Sequence, residues 1–383
     1  MKKNMTEQKF KNPRVCKLIL TYSCNLNCLY CFEKFKTNDQ QKNMTLETAQ
    51  KIILQEIDYI EKSKKFDGLA INLFGGEPLL CFDMIKAFCE WIWGISTGVA
   101  YAISITSNGT LLTLDKKKWF QAHKDKISLS LSVDGDTAAQ LLNRGVSLED
   151  IPINFARETW PNVYFLMTVS PETTEAYADD FIKLTKLGYR LDGSHATGVN
   201  WTEEDVKKYE EQLRRIADFY LTNPQYPPNP FFLHSYADQL ANKLDYFCGA
   251  GHHMIAYDYS GKGYPCHMFS PLVWGEDIWH SLTDIDFEHP FAKESDLECA
   301  QCPIVKSCPS CIAYNLQERK NVSLRDKRDC KILVAEIRVI SAFQIQYYMQ
   351  RVNSLNRESQ VKLKAALAIY KQVSKDKVSK YIN

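Results

Sequence analysis

No apolar run in this chain approaches the ~20 residues that a helix needs to span a bilayer. The polar start, Met-Lys-Lys-Asn-Met-Thr-Glu-Gln-Lys, is not followed by the apolar core of a secretory signal. No sign of charge dominates, since 47 basic residues face 46 acidic ones for a net charge of +1. That balance argues against nucleic acid or a membrane surface as the main partner. Internal repeats and low-complexity segments are absent as well. Cysteine is what the sequence has in plenty, with 13 among 383 residues. In a chain this long without an export signal, cysteines point to metal or cluster ligands in a reducing cytoplasm rather than to disulfides.

The composition, 45% apolar and 12% aromatic, suffices for one large domain or two ordinary ones. Short β-branched runs alternate with amphipathic stretches over the first two-thirds. Strands are expected at Val15–Thr21, Leu69–Phe74, Ala102–Thr106, Ile127–Val133 and Val163–Val169. Thr45–Lys62 reads as a helix, with Ala49, Ile52, Ile53, Ile57 and Ile60 at helical spacing. Such alternation predicts an α/β fold with a parallel sheet, an open partial barrel whose ligands sit at the carboxyl ends of the strands. Thr202, with Asp205 three residues on, reads as the capping box of a further helix. The proline-rich segment 223–230 marks a domain boundary. Domains are therefore expected at 1–230, 231–330 and 331–383, the last a helical tail ending in the lysine-rich Lys371–Lys380.

The run Cys24-Asn-Leu-Asn-Cys28-Leu-Tyr30-Cys31 follows the first strand directly, and no fourth cysteine lies nearby. A [4Fe–4S] cluster is normally held by four thiolates, so three leave one iron open to a small molecule. A zinc knuckle lacking its last ligand is the alternative, although closed structural zinc sites want four ligands. Gly75-Gly76-Glu77-Pro78 follows the second strand; its glycines permit close backbone approach and Glu77 offers an acceptor to an ammonium group. Ser107-Asn-Gly-Thr closes the third strand, and Ser132-Val-Asp134-Gly closes the fourth.

The cysteine triplet resembles the signature loop of the radical S-adenosylmethionine (SAM) superfamily. The resemblance implies a partial (β/α)6 barrel over residues 1–230 and a [4Fe–4S] cluster on Cys24, Cys28 and Cys31 that chelates SAM. It further implies that Tyr30 lies against the adenine, and that Gly75, Gly76 and Glu77 contact the methionyl amino group. Ser107, Ser132 and Asp134 would serve the ribose and carboxylate side of SAM, and Arg144 its carboxylate.

Seven later cysteines, Cys248, Cys266, Cys299, Cys302, Cys308, Cys311 and Cys330, resemble the SPASM domain found behind barrels that modify peptides and proteins. Here two residues, rather than that family's usual three, separate Cys308 from Cys311. The resemblance implies two auxiliary [4Fe–4S] clusters, three clusters in all. Cys299, Cys302, Cys308 and Cys330 would hold one; Cys248, Cys266 and Cys311 would hold the other, with an open iron or a histidine as fourth ligand. A Cys₄ zinc site on Cys299, Cys302, Cys308 and Cys311 is the alternative. Cys16, Cys81 and Cys89 read as buried apolar residues.

Two activities fit the resemblance. Anaerobic sulfatase-maturating enzymes carry an aspartate immediately after the equivalent of Cys266, where this chain has His267. The Cys-His-x-Phe run instead resembles maturases that form thioether or carbon–carbon crosslinks in ribosomally made peptides. His267 is then a candidate catalytic base, or a hydrogen-bonding neighbour of the cluster. The expected partners are a precursor peptide and an external electron donor of flavodoxin or ferredoxin type. With the first strand beginning at Val15, no room is expected for an N-terminal leader-recognition domain.

Overall fold

β-Branched and leucine-rich runs become strands here, and the amphipathic stretches between them become helices. The computed structural model describes residues 10–236, 240, 248–291 and 296–374; the lysines from Lys375 onward lie outside them. In chain order the elements begin β1 (Arg14–Ile19), α1 (Leu46–Ser63), β2 (Leu69–Phe74), α2 (Phe82–Gly94), β3 (Tyr101–Ser107), α3 (Leu114–Ala122) and β4 (Ser128–Leu131). They continue with α4 (Thr137–Arg144), α5 (Ile153–Thr159), β5 (Phe165–Val169), α6 (Tyr177–Lys186), β6 (Leu191–His195) and α7 (Glu203–Thr222). A short hairpin, β7 (Met254–Tyr257) with β8 (Gly263–Tyr264), precedes α8 (Ile312–Arg319), α9 (Cys330–Met349) and α10 (Arg357–Val373).

The fold is mixed α/β with a parallel sheet, as the alternation predicts. Six strands pair in the order β4-β3-β2-β1-β7-β8, parallel except for the β7–β8 pair, and β5 pairs with β6. A parallel bridge pairs Ser132 with Leu166 within one compact unit. β6 escapes a reading of the sequence because Leu-Asp-Gly-Ser-His has no β-branched residue. The Thr45 hydroxyl caps α1, and the Thr202–Asp205 capping box at α7 is fully formed.

Two compact units interleave along the chain. The first comprises residues 1–133, 144–166 and 249–287; the second comprises 134–143, 167–248 and 288–383. In the first unit Cys16, Leu18, Ile71 and Leu73 are fully buried in the sheet, and Cys81 and Cys89 are buried as expected. In the second, α7, α9 and α10 pack together, burying Tyr209, Ile216, Ile337 and Ile369.

Beneath the first sheet lies a buried ion pair. Arg14 Nε donates to Glu56 Oε2 at 2.8 Å, and Tyr257 donates to Glu56 Oε1 at 2.7 Å. Arg14 Nη1 reaches the His252 carbonyl at 2.7 Å, so β1, α1 and β7 share one polar knot. Removing one partner of such a pair strands a buried charge, which typically costs about 3–5 kcal/mol. Glu56→Ala is therefore expected to lower unfolding free energy by about that much, measured by urea titration. A loss below ~1 kcal/mol, the range of exposed pairs, would show that the knot bears little of the stability.

Candidate functional site

The first unit assembles its site where the chain leaves β1, β2 and β3. Beyond Ile19 the backbone turns over the end of β2, where Gly76 N donates to Thr21 O (3.0 Å) and Glu77 N donates to Ser23 O (2.8 Å). A Cβ on Gly76 would lie 2.2 Å from Ser23 O, and one on Gly75 would lie 2.5 Å from Thr21 O. Gly75 also has φ +140°, which favours glycine. The paired glycines thus let the cysteine loop cross directly over the β2 turn.

Glu77 locks this crossing to the next strand. It is almost fully buried, and its Oε1 accepts from Leu79 N (2.9 Å) and Ser107 Oγ (2.8 Å), its Oε2 from Asn108 N (2.8 Å). Burial raises its pKa, against which these hydrogen bonds and the nearby Arg144 pull down. Ser107 also accepts from Gly109 N. Both side chains are therefore engaged with the protein itself. Asn25, inside the cysteine loop, donates to Thr110 (2.8 Å) and accepts from Asn108 (2.9 Å), which ties the loop to the turn after β3.

Cys24, Cys28 and Cys31 share the loop this scaffold holds. Burial pushes the Cys24 thiol up to about 11; the Leu26 N–H and Lys36 oppose it, and Cys28 adds to the rise. Cys31 is raised in the same way, by burial first, with Glu33 and Cys28 contributing. Arg144 Nη1 lies 3.8 Å from Cys28 Sγ, and its guanidinium carbon sits 5.8 Å from the Tyr30 ring centre. Tyr30, Arg144 and Cys28 are thus brought together. Ser132 lies at the end of β4, its N–H on Ser107 O (3.0 Å). Asp134 belongs to the second unit, where its Oδ1 accepts from Thr168 N at 3.0 Å and its N–H donates to Gln140.

His267 and Cys266 lie in the first unit, Cys266 buried and His267 partly buried. The His267 ring meets Phe74 and Phe32 edge-on, with centroids 4.8 and 5.4 Å away. Lys17 Nζ stands 3.2 Å from His267 Nδ1. Burial, and then the Lys17 charge, hold the imidazole well below its usual pKa. A neutral ring that accepts from Lys17 at Nδ1 carries its own proton on Nε2.

Glu33 was not evident from the sequence. It is buried, its Oε1 has no hydrogen-bond partner, and burial pushes its pKa up to about 8, opposed by Lys36. Its place two residues after the last cysteine of the loop was the available signal.

The second unit holds Cys248, Cys299, Cys302, Cys308, Cys311 and Cys330. Burial pushes the Cys330 thiol up to about 12, and Cys308, Cys299 and Cys302 each add to the rise. Asp296 caps the turn that carries Cys299, accepting from Glu298 N and Cys299 N, while Arg325 donates to the Cys308 carbonyl (3.3 Å). Cys311 opens α8 and is pushed up to about 11 by burial, with Cys248 among the contributors. Thiols so placed oppose one another's ionisation and stay protonated unless positive charge lies among them. Among the described residues, no group of three or more His, Cys, Asp or Glu side chains is arranged to hold a single metal ion. No helix is long and apolar enough to cross a membrane among the described residues.

Comparison with known proteins agrees with this geometry. Residues 18–185 match the radical SAM superfamily. A probable GTP 3′,8-cyclase of Methanococcus maripaludis is 28% identical over 147 residues, covering 38% of this chain and 46% of that protein. The chain thus spans about half the length of such curated relatives. A radical SAM cyclopropyl synthase, TigE of Paramaledivibacter caminithermalis, is 21% identical over 359 residues, covering 85% of this chain and 73% of that one. Among solved structures, anSMEcpe with bound AdoMet superimposes with a TM-score of 0.62 at 16% identity, over 92% of this chain and 99% of the other. SuiB of Streptococcus suis bound to S-adenosylmethionine gives 0.56 at 17% identity, over 83% and 77%. Residues 18–185 of the chain are thus matched as a radical SAM domain.

Proposed function

We propose that this protein modifies a ribosomally made precursor peptide by radical chemistry, joining a cysteine sulfur or a carbon to an unactivated carbon. The observation that carries the reading is the half-buried cysteine loop over Gly75–Gly76, with Arg144 beside Cys28. When bound, a [4Fe–4S] cluster with SAM supplies a 5′-deoxyadenosyl radical that takes a hydrogen atom from the peptide. Cys24, Cys28 and Cys31 hold that cluster in this reading, and Arg144 and Tyr30 orient SAM beside it. Glu77 and Ser107 act less as direct contacts than as the clamp that keeps the loop in register. Cys299, Cys302, Cys308 and Cys330 hold an auxiliary cluster suited to accepting the second electron, and Cys311 with Cys248 serves a further one. An external flavodoxin- or ferredoxin-type protein supplies the reducing electron.

The likeness to TigE extends over most of the chain, and SuiB has been solved with its precursor peptide SuiA, at a TM-score of 0.56. Those facts favour a peptide substrate for this chain.

After anaerobic reconstitution with iron and sulfide, Cys28→Ala is expected to abolish 5′-deoxyadenosine formation from SAM, read by liquid chromatography. Undiminished formation would remove the cysteine loop from the reaction. Cys302→Ala is expected to retain SAM cleavage while losing the crosslinked product, read as a mass loss of two hydrogens in a peptide encoded beside the gene. A fully active Cys302→Ala protein would remove the auxiliary site from the chemistry. Should the thiols of the modified peptide remain alkylatable, the bond formed is carbon–carbon rather than thioether.

A further inference from the structure

The parallel sheet of the first unit has a polar face that the reading above does not use. Its strands alternate, with Cys16, Ile71, Ile103 and Leu129 buried on one side. Lys17, Asn72, Ser104 and Ser128 alternate with them on the other side, and all four are half-buried. Strand pairing sets these four in one row, Lys17 opposite Asn72, Asn72 opposite Ser104, and Ser104 opposite Ser128. Thr106 opposite Ser130 repeats the pattern further along β3 and β4. Parallel sheets are ordinarily covered on both faces, and their strands then read as continuous apolar runs. A polar row across four parallel strands suits a polar ligand rather than an apolar core.

Lys17 is the one charge in that row. Its Nζ lies 3.2 Å from His267 Nδ1 and 4.9 Å from the centre of the Phe74 ring. Glu33 is near enough to feel this charge, yet its Oε1 takes no hydrogen bond from the lysine. An ammonium carries three protons and can serve His267 and a ligand together. Asn72 comes next in the row, and its Nδ2 donates to Ser104 Oγ at 2.6 Å. That bond uses one of the two protons on the amide nitrogen. Neighbouring strands lie roughly 4.8 Å apart, close enough for one carboxylate to accept from both side chains.

We propose that Lys17 and Asn72 bind a carboxylate of the peptide substrate, from an acidic side chain or a chain end. A cation is repelled by Lys17. A neutral amide offers one acceptor oxygen where a carboxylate offers two, and brings no charge to a half-buried ammonium. The carboxylate of SAM is served by Arg144 in the reading above and does not compete for this row. That the bound carboxylate belongs to a peptide rests on the function proposed above; the preference of the row for a carboxylate does not.

The test is calorimetric titration of the full-length, iron–sulfur-reconstituted protein, saturated with SAM and without reductant. The probes are capped alanine tripeptides with glutamate, aspartate or glutamine at the centre, and an alanine tripeptide with a free carboxyl end. At least one carboxylate probe is expected to bind about tenfold more tightly than the glutamine probe, as for a charge-assisted contact. Which probe binds tells a side chain from a chain end. Lys17→Met keeps the stem and is expected to erase the preference, whereas Lys17→Arg is expected to keep it. Because Lys17 meets His267, next to Cys266, iron content, SAM affinity and melting temperature are measured alongside. Asn72→Asp, a second variant of unchanged shape, is expected to weaken the carboxylate probe by about tenfold through like charge. Equal binding of the glutamine probe, a preference that survives in an iron-replete Lys17→Met protein, or binding unaltered by Asn72→Asp would each overturn the proposal. Loss of SAM binding in iron-replete Lys17→Met would place the lysine on SAM and overturn it as well. Formation of 5′-deoxyadenosine on adding reductant separates the two readings. If it forms while the carboxylate probes show no preference, only the row's assignment falls. If it does not form while they bind, the radical chemistry falls and the carboxylate site stands.

Discussion

The backbone crossing between the cysteine loop and the β2 turn is the constraint on which the first unit's site depends. Two N–H groups of the turn are satisfied by carbonyls of the loop, and the spacing leaves no room for a Cβ at either glycine. A buried backbone donor without a partner is costly, so the loop and the turn need each other. Glu77 then extends the constraint sideways to Ser107 and Asn108, and Asn108 returns it to the loop through Asn25. The loop that carries Cys24, Cys28 and Cys31 is thereby laced to the turns after β2 and β3.

Electrostatics shapes both units, with different partners. In the first, fixed cations accompany the thiols: Arg144 lies beside Cys28, and Lys36 opposes the burial of Cys24 and Cys31. In the second, burial raises the Cys330 pKa, and Cys308, Cys299 and Cys302 raise it further. Such an arrangement is unfavourable for bare thiolates and favourable for thiolates on a metal, which is why the cluster reading fits these residues.

His267 and His195 illustrate how burial assigns roles to like side chains. His267 is enclosed by Phe74 and Phe32 with a lysine at its Nδ1, so the neutral ring prevails. His195 is equally enclosed, but Glu336 meets its Nδ1, and the carboxylate's attraction outweighs the burial and raises its pKa. The sequence places His267 beside a cysteine and so draws attention to it. It says nothing of Glu336, which lies far along the chain from His195.

The sequence alone determined the α/β alternation, because strand and helix periods are written in local apolar spacing. It also determined where the cysteine loop falls, since three thiols at short spacing after a strand need no tertiary information. Elements with polar sequences were hidden: β6 forms from Leu-Asp-Gly-Ser-His only because β5 supplies its partner. The tertiary structure alone decided that Gly75 and Gly76 serve a backbone crossing, that Ser107 donates to Glu77, and that Glu33 and Asp329 each keep an oxygen without a partner. Burial and hydrogen-bond satisfaction are sums over residues far apart in the chain, and no local pattern carries them.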